Sequence, residues 1–361
     1  MNALKDRITA RIRSEGPISL ASFMAEALFD PREGFYATRD PIGAGADFIT
    51  APEVSQMFGE LLGVWCVQAW RDMGSPPRLS LVELGPGRGT MMADMLRAAR
   101  LDAGFIRATR VFLVEASPAL KTKQGEALAA SPCPVSWIEA LERAPETPML
   151  VVGNEYLDCL PIRQFLMTPD GWRERMAGLS DGRIVYVLAN GAPHPADVAQ
   201  IPQSLGDATP GAIAEIRPSM APLADHLAAR FAHRPGRALF IDYGPSESEA
   251  GDTLQAIAKH EKTDPLAQPG GADLTARVDF GALAALGRTH GLDVAGPVTQ
   301  ASFLRAMGIE QRALSLSQKS GEARARIVRQ LHRLIGDDQM GVLFKAICLS
   351  APGLPQPAGF A

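Results

Sequence analysis

The stretch Leu79 to Thr90, LSLVELGPGRGT, constrains the fold of this chain more than any other. An apolar run through Leu81-Val82-Glu83-Leu84 breaks into Gly85-Pro86-Gly87-Arg88-Gly89, and a helical pattern begins at Thr90. Met91, Met92, Met95, Leu96 and Ala99 recur at i, i+3, i+4 spacing. Thr90 is the expected N-cap, and Asp94 adds negative charge to the opening turns. A strand that runs through glycines into a helix presents unpaired N–H groups, and a ligand can reach them without meeting a Cβ. An α/β chain that holds a small molecule at this turn is the expectation, with a purely structural strand-to-helix turn as the alternative.

What the loop lacks narrows the ligand. There is no Gly-Lys-Ser/Thr ending, so the lysine and hydroxyl that hold a nucleoside triphosphate and its magnesium are missing. The dinucleotide fingerprint wants its third glycine at position 90, where this chain has Thr90. A second strand-like run, Val111-Phe112-Leu113-Val114, ends in Glu115, where a doubly wound sheet places a carboxylate that grips a ribose diol. The pair ELGPGRGT and VFLVEAS resembles the cofactor half of a class I S-adenosylmethionine-dependent methyltransferase. That resemblance implies cofactor contacts from Glu83, Gly85, Pro86, Gly87 and Glu115.

At 361 residues the chain can bury a substantial core as one large domain or as two to three smaller ones. Its formal net charge of −4 leaves no basic excess to displace counterions from a polyanion, which argues against nucleic acid as the main partner. No apolar run is long enough to cross a bilayer, so membrane insertion is not expected. Cys66, Cys133, Cys159 and Cys348 show no CxxC spacing, and the six histidines show no ligand spacing. Neither a disulfide framework nor a metal site is expected, and a reducing, cytoplasmic setting is the default. The Arg-containing N-terminus would indicate the mitochondrial matrix only if it were a transit peptide. Leu4, Ile8 and Ile12 instead form one helical stripe with Asp6 and Glu15 interspersed, as in a first domain helix.

Taken in order, the first seventy-odd residues predict a helical front section. Ser19 caps a helix whose buried face is Leu20, Phe23, Met24, Ala27 and Leu28, and Asp30-Pro31 stops it. A loop rich in glycine and proline follows. In it Asp47 either reaches a ligand or closes an Asx-turn. Thr50 and Glu53 have capping-box spacing ahead of a helix carrying Phe58, Leu61, Leu62, Trp65 and Ala69, so capping competes with a ligand role for Thr50. Strands are expected at 79–84, 111–115, 135–138 and 149–153, with helices at about 90–100 and 117–130. Such alternation implies a parallel sheet with ligands at the carboxyl ends of its strands.

The fourth strand runs into Gly153-Asn154-Glu155-Tyr156-Leu157-Asp158. Two carboxylates and an amide directly after a buried strand are costly unless a partner offsets their desolvation, although a loop cap would also account for them. Glu155 and Asp158 are three apart and could face one small volume from a turn. Beyond them, segments 163–168, 172–176 and 183–188 predict an antiparallel meander, and a helix is expected near 219–231. Ala238 to Gly244 returns to the sheet as a fifth strand. There Tyr243 is either a core tyrosine or a substrate contact. The stretch from His260 to Phe280 is expected to be loop. Asp273 and Thr275 could line the cleft or serve turn chemistry, and Asp279 is expected to cap a helix. Segment 342–349, VLFKAICL, is expected as a final strand.

Several long blocks in one order resemble the MidA family of methyltransferases. They are FYATRDPIGAGADFITAPEVSQMFGELLGVW, VELGPGRGT, VEASPALK, GNEYLDCLPI, FIDYG and DLTARVDF, and together they span most of the chain. Two departures are visible: Ala46 where the family usually has glycine, and Cys159 where alanine is usual. The resemblance implies a Rossmann-like class I methyltransferase with S-adenosyl-L-methionine as cofactor, Asn154 among its contacts, and arginine of a protein as acceptor. The family's mitochondrial member is a respiratory complex I assembly factor, so a complex I subunit is the implied partner.

The expected organisation is an N-terminal helical section over 1–75, a core over 76–169 and 236–361, and an inserted substrate-binding subdomain over 170–235. Glu155 and Asp158 are the expected catalytic pair, holding a planar, charged guanidinium in register. Asp47, Thr50, Tyr243 and Asp273 are the expected substrate contacts. A cofactor-binding assembly factor without catalysis is the main alternative, a nicotinamide oxidoreductase is disfavoured by Thr90, and the sequence leaves oligomerisation open.

Overall fold

The computed structural model describes residues 2–38, 50–258, 261–318 and 321–360. Asp47 falls outside them. Seven strands form the central sheet: β1 Leu79–Leu84, β2 Thr109–Val114, β3 Val135–Ile138, β4 Met149–Asn154, β5 Gly236–Tyr243, β6 Asp293–Thr299 and β7 Phe344–Ser350. Their spatial order is β3-β2-β1-β4-β5-β7-β6. The first five are parallel, and β7 enters antiparallel between β5 and β6. The order reverses between β1 and β4, so the crevice beyond their carboxyl ends is where such a sheet binds a ligand.

The sequence dictates this middle. Every residue of β1 and of β4 is buried, as strands covered on both faces require. One face packs on a core containing Phe58, Trp65, Met92 and Met95, the other on Phe240, Leu227, Phe280 and Leu283. A third core joins Leu4, Ile8 and Phe23 of the front section to Ile162, Ala177 and Leu274. The stripe at Leu4, Ile8 and Ile12 is therefore the buried face of the helix Ala3–Glu15.

Four local expectations need correction. Gly89, in the left-handed region at φ 83°, is the N-cap of the helix Thr90–Ala99, and the Thr90 hydroxyl instead donates to Glu53. Thr50 and Glu53 do not form a capping box. They belong to a single turn, Ala51–Val54, and the long helix Gln56–Asp72 starts afresh with Ser55 as its cap. The segment expected as loop holds two short strands, Glu261–Thr263 and Asp273–Thr275, which pair with Gln255–Ala258 on either side. The final strand starts two residues late, because Met340–Leu343 is a helical turn.

A five-stranded antiparallel sheet is built from Arg163–Thr168, Gly171–Ser180, Arg183–Leu188, Ile213–Ile216 and the two-residue strand Ile18–Ser19. It begins seven residues before position 170, and Ile18–Ser19 pairs directly with Ala177 and Met176. Among the described residues no helix is long and apolar enough to cross a membrane.

Candidate functional site

A cleft of about 390 Å³ opens where β1 and β4 end. Its floor is Glu83 of β1, the turn Gly85-Pro86-Gly87, and Asn154 with Glu155 at the end of β4; Thr50, Pro52, Glu53 and Thr90 wall it. Gly85 and Gly87 sit at φ 63° and 53°, a backbone only glycine adopts readily, so the turn can face the cleft with its N–H groups. A Cβ on Gly85 would stand 3.0 Å from the Tyr156 ring.

Two buried acceptors on this floor have no hydrogen-bond partner among the described residues: Glu83 Oε2 and Asn154 Oδ1. Buried oxygens left this way cost free energy, so the cleft is made for a ligand that donates hydrogen bonds at both points. Burial pushes the Glu83 carboxyl up to about 8. A positively charged donor beside it would restore the carboxylate. Residues that present orphaned acceptors beside a glycine cradle fit the α-amino and carboxylate ends of an amino-acid-bearing cofactor.

Glu115 follows β2 and is not among the residues lining this cleft. Its Oε1 accepts from the Ser117 N–H at 2.7 Å and its Oε2 from the Gln124 amide at 3.0 Å. The same Gln124 nitrogen donates to the Gly87 carbonyl at 2.8 Å. Glu115 is thereby joined to the turn through one side chain.

Glu155 adopts φ 49°, an uncommon backbone for a residue with a side chain, and one met most often where function constrains it. Its Oε1 accepts from the Ala51 N–H and from the Asn154 amide, each at 2.9 Å. Burial pushes its carboxyl up to about 7. Asp158 is buried and is not among the residues that line the cleft. Burial raises it to about 6 against the pull of the Arg217 guanidinium. Asp242, buried at the end of β5, accepts from the N–H groups of Leu157, Asp158 and Tyr243, and so fixes the loop that carries Asp158. Burial first, and the nearby Asp158 second, hold Asp242 well above the usual carboxylate range.

Tyr243 and Asp273 are hydrogen-bonded to other side chains of the chain. The Tyr243 hydroxyl donates to Thr275 at 2.8 Å and accepts from Gln255 at 3.1 Å. The Tyr36 hydroxyl donates to Asp273 at 2.9 Å. Thr50 lines the cleft, and its side chain makes no cap bond. The structure thus gathers Glu83, Gly85, Pro86, Gly87, Asn154, Glu155 and Thr50 around one space. Asp158, Tyr243 and Asp273 lie outside its lining.

Two residues that sequence reasoning passes over also matter here. Gln124 sits within a helical pattern that gives no sign of its polar contacts. Arg217 falls between two elements, yet its buried guanidinium donates to the carbonyls of Asp158, Ala276 and Arg277.

Residues 61–298 match the family model described as "Putative S-adenosyl-L-methionine-dependent methyltransferase". The chain is similar to the protein arginine methyltransferase NDUFAF7, mitochondrial, of Danio rerio, with 35% identity over 94% of this chain and 84% of that protein. It is equally similar to the protein of the same name from Homo sapiens, at 35% identity over 94% of this chain and 81% of that one. A crystal structure of a Burkholderia thailandensis protein bound to S-adenosyl-homocysteine superposes with a TM-score of 0.85 at 29% identity, covering 99% of this chain and 94% of that one.

Proposed function

This chain belongs to the family of S-adenosyl-L-methionine-dependent methyltransferases, and from that premise we propose that it methylates an arginine side chain of a protein substrate. The observation that carries the reading is the excess of buried acid at the carboxyl ends of β4 and β5. Glu155, Asp158 and Asp242 all sit above their ordinary pKa, with Arg217 pulling against burial at Asp158 and Asp242 and Arg333 at Glu155. Such a site is relieved by a further cation, and a guanidinium brings both charge and a fork of donors.

Glu83 and Asn154 would hold the amino-acid end of the cofactor through their unpartnered oxygens, Gly85 to Gly87 would pass under it, and Glu115 would take its ribose. Bound S-adenosyl-L-methionine supplies a methyl group on a sulfonium, which leaves the protein little covalent work. The contribution of the chain is then placement: Glu155 accepts guanidinium N–H bonds and keeps the attacking nitrogen in line within a water-poor cleft, while Asp158, buried off the lining, adds negative charge beside it. Nitrogen that gains a methyl must shed a proton. Glu155, with its carboxyl near neutrality, is the acceptor poised to take it. Thr50 on the cleft wall contacts the incoming substrate.

The resemblance to the MidA family supports a respiratory complex I type subunit as the protein that carries the arginine. Where that complex is assembled, in a bacterial cytoplasm or a mitochondrial matrix, sets the compartment. Purified protein incubated with methyl-labelled S-adenosyl-L-methionine and complex I subunits should place label on arginine, read by peptide mass spectrometry. Tight cofactor binding with no label on any subunit would overturn the proposal in favour of a docking role.

A further inference from the structure

Gln124, outside the lining of the cleft, has both ends of its amide hydrogen-bonded. It lies in the helix Pro118–Ala127 and is fully buried. Its amide nitrogen donates to the Gly87 carbonyl at 2.8 Å and to Glu115 Oε2 at 3.0 Å, and its amide oxygen accepts from the Trp137 indole N–H at 2.7 Å. An indole is only a donor and a carbonyl only an acceptor, so the amide can point in one direction alone. The helix is seated tightly on the turn, since a Cβ on Gly89 would meet the Gln124 Cα at 3.2 Å.

We propose that Gln124 is a positioning residue for the cofactor, locking the carboxylate of Glu115 to the glycine turn so that the sugar and amino-acid ends of the site keep one fixed spacing. The proposal rests on the reading of Glu115 as the ribose contact. Glu115 Oε1 is held by Ser117 and Oε2 by Gln124, which fixes the carboxylate plane and leaves further lone pairs for two adjacent hydroxyls. Gly87, whose φ is 53°, has its carbonyl drawn to the same amide, so the N–H groups of the turn are aimed by the same contact. Neither effect touches the reacting atoms. A preorganised binding site is set by such supporting contacts, and loosening them weakens binding of the group they orient.

The test is a cycle of Gln124→Met and Glu115→Ala, alone and combined, read by titration calorimetry with S-adenosyl-homocysteine and by steady-state kinetics. Gln124→Met keeps the length of the side chain and removes its donors. It should weaken S-adenosyl-homocysteine binding and raise KM for S-adenosyl-L-methionine by about tenfold, with kcat within about twofold of the parent. In the Glu115→Ala background the same change should cost less than about threefold, because the carboxylate it orients is gone. An undiminished effect in that background, or a fall in kcat with KM unchanged, overturns the positioning role. Unchanged affinity in Glu115→Ala alone sinks the ribose reading instead. Should Gln124→Met fail to fold, Trp137→Phe on the edge strand β3 removes the N–H that orients the amide, together with part of the indole ring, while leaving Gln124 in place. It should raise KM by about threefold, and no change in KM would count against the proposal.

Discussion

The Thr90 hydroxyl donates a 2.6 Å hydrogen bond to Glu53 Oε1, joining the first residue of the helix after the glycine turn to the front section of the chain. Both residues wall the cleft. One wall of the site is thus borrowed from a segment that precedes the Rossmann-like sheet in sequence.

Thr90→Val keeps the shape and deletes the donor. It should lower stability by about 1 kcal/mol, the usual net worth of one intramolecular hydrogen bond. Denaturant titration with and without S-adenosyl-homocysteine would show the larger loss in the liganded protein. An equal loss in both would mean that the bond serves the fold alone.

Glu83 gives a pH signature. Its carboxyl is raised from 4.5 to about 8 by burial, so between those values the folded chain holds a proton that the unfolded chain has released. Stability of the ligand-free protein from this group is full below about 4.5 and is lost as pH rises toward 8. Glu83→Gln should flatten that slope, as followed by the unfolding midpoint from pH 5 to 8.5. Cofactor affinity should rise with pH over the same window in the parent and not in the variant.

The two acids after β4 predict an acid limb in kcat/KM. Burial raises Glu155 to about 7 and Asp158 to about 6, and a guanidinium in the cleft is favoured only when these acids are ionised. Activity should climb through that range. Glu155→Gln should reduce kcat by about 10²- to 10⁴-fold, as expected when an acid–base group is lost. Asp158→Asn should act chiefly on KM for the protein substrate, by about tenfold. A pH profile flat from 5.5 to 8, in a protein that still binds cofactor, would contradict both roles.

Gly63 lets the helix Gln56–Asp72 lie against Thr90–Ala99. A Cβ there would come within 2.3 Å of the Met95 carbonyl. Gly63→Ala should destabilise by about 1–3 kcal/mol, since backbone rather than a flexible side chain must retreat. Because the displaced helix starts at the glycine turn, S-adenosyl-homocysteine binding should weaken with it. Calorimetry on the folded fraction reads this directly.

The parallel sheet was legible because each strand carries its own signal. Leu79–Leu84 and Met149–Asn154 are apolar runs bounded by breakers, and the paired meander segments alternate around the Pro169-Asp170-Gly171 turn. The short strands at 255–275 were not legible: three or four residues with polar members satisfy no pattern until their partners are known. The cleft floor followed from glycines and an acid at strand ends. Its walls did not, because Glu53 finds Thr90 and Ala51 finds Glu155 across long stretches of chain. The pairing of Tyr36 with Asp273 spans 237 positions and no local rule reaches it. Sequence spacing put Glu155 and Asp158 on one surface, whereas the left-handed backbone at Glu155 and the grip of Asp242 on the following loop turn them to different depths.

The two-residue strand Ile18–Ser19, hydrogen-bonded to Ala177 and Met176, has a practical outcome for anyone shortening this protein. Cutting away the first thirty residues would not trim an appendage. It would bare an unprotected sheet margin on Gly171–Ser180 and strip the apolar cover from Ile162 and Leu274, inviting self-association.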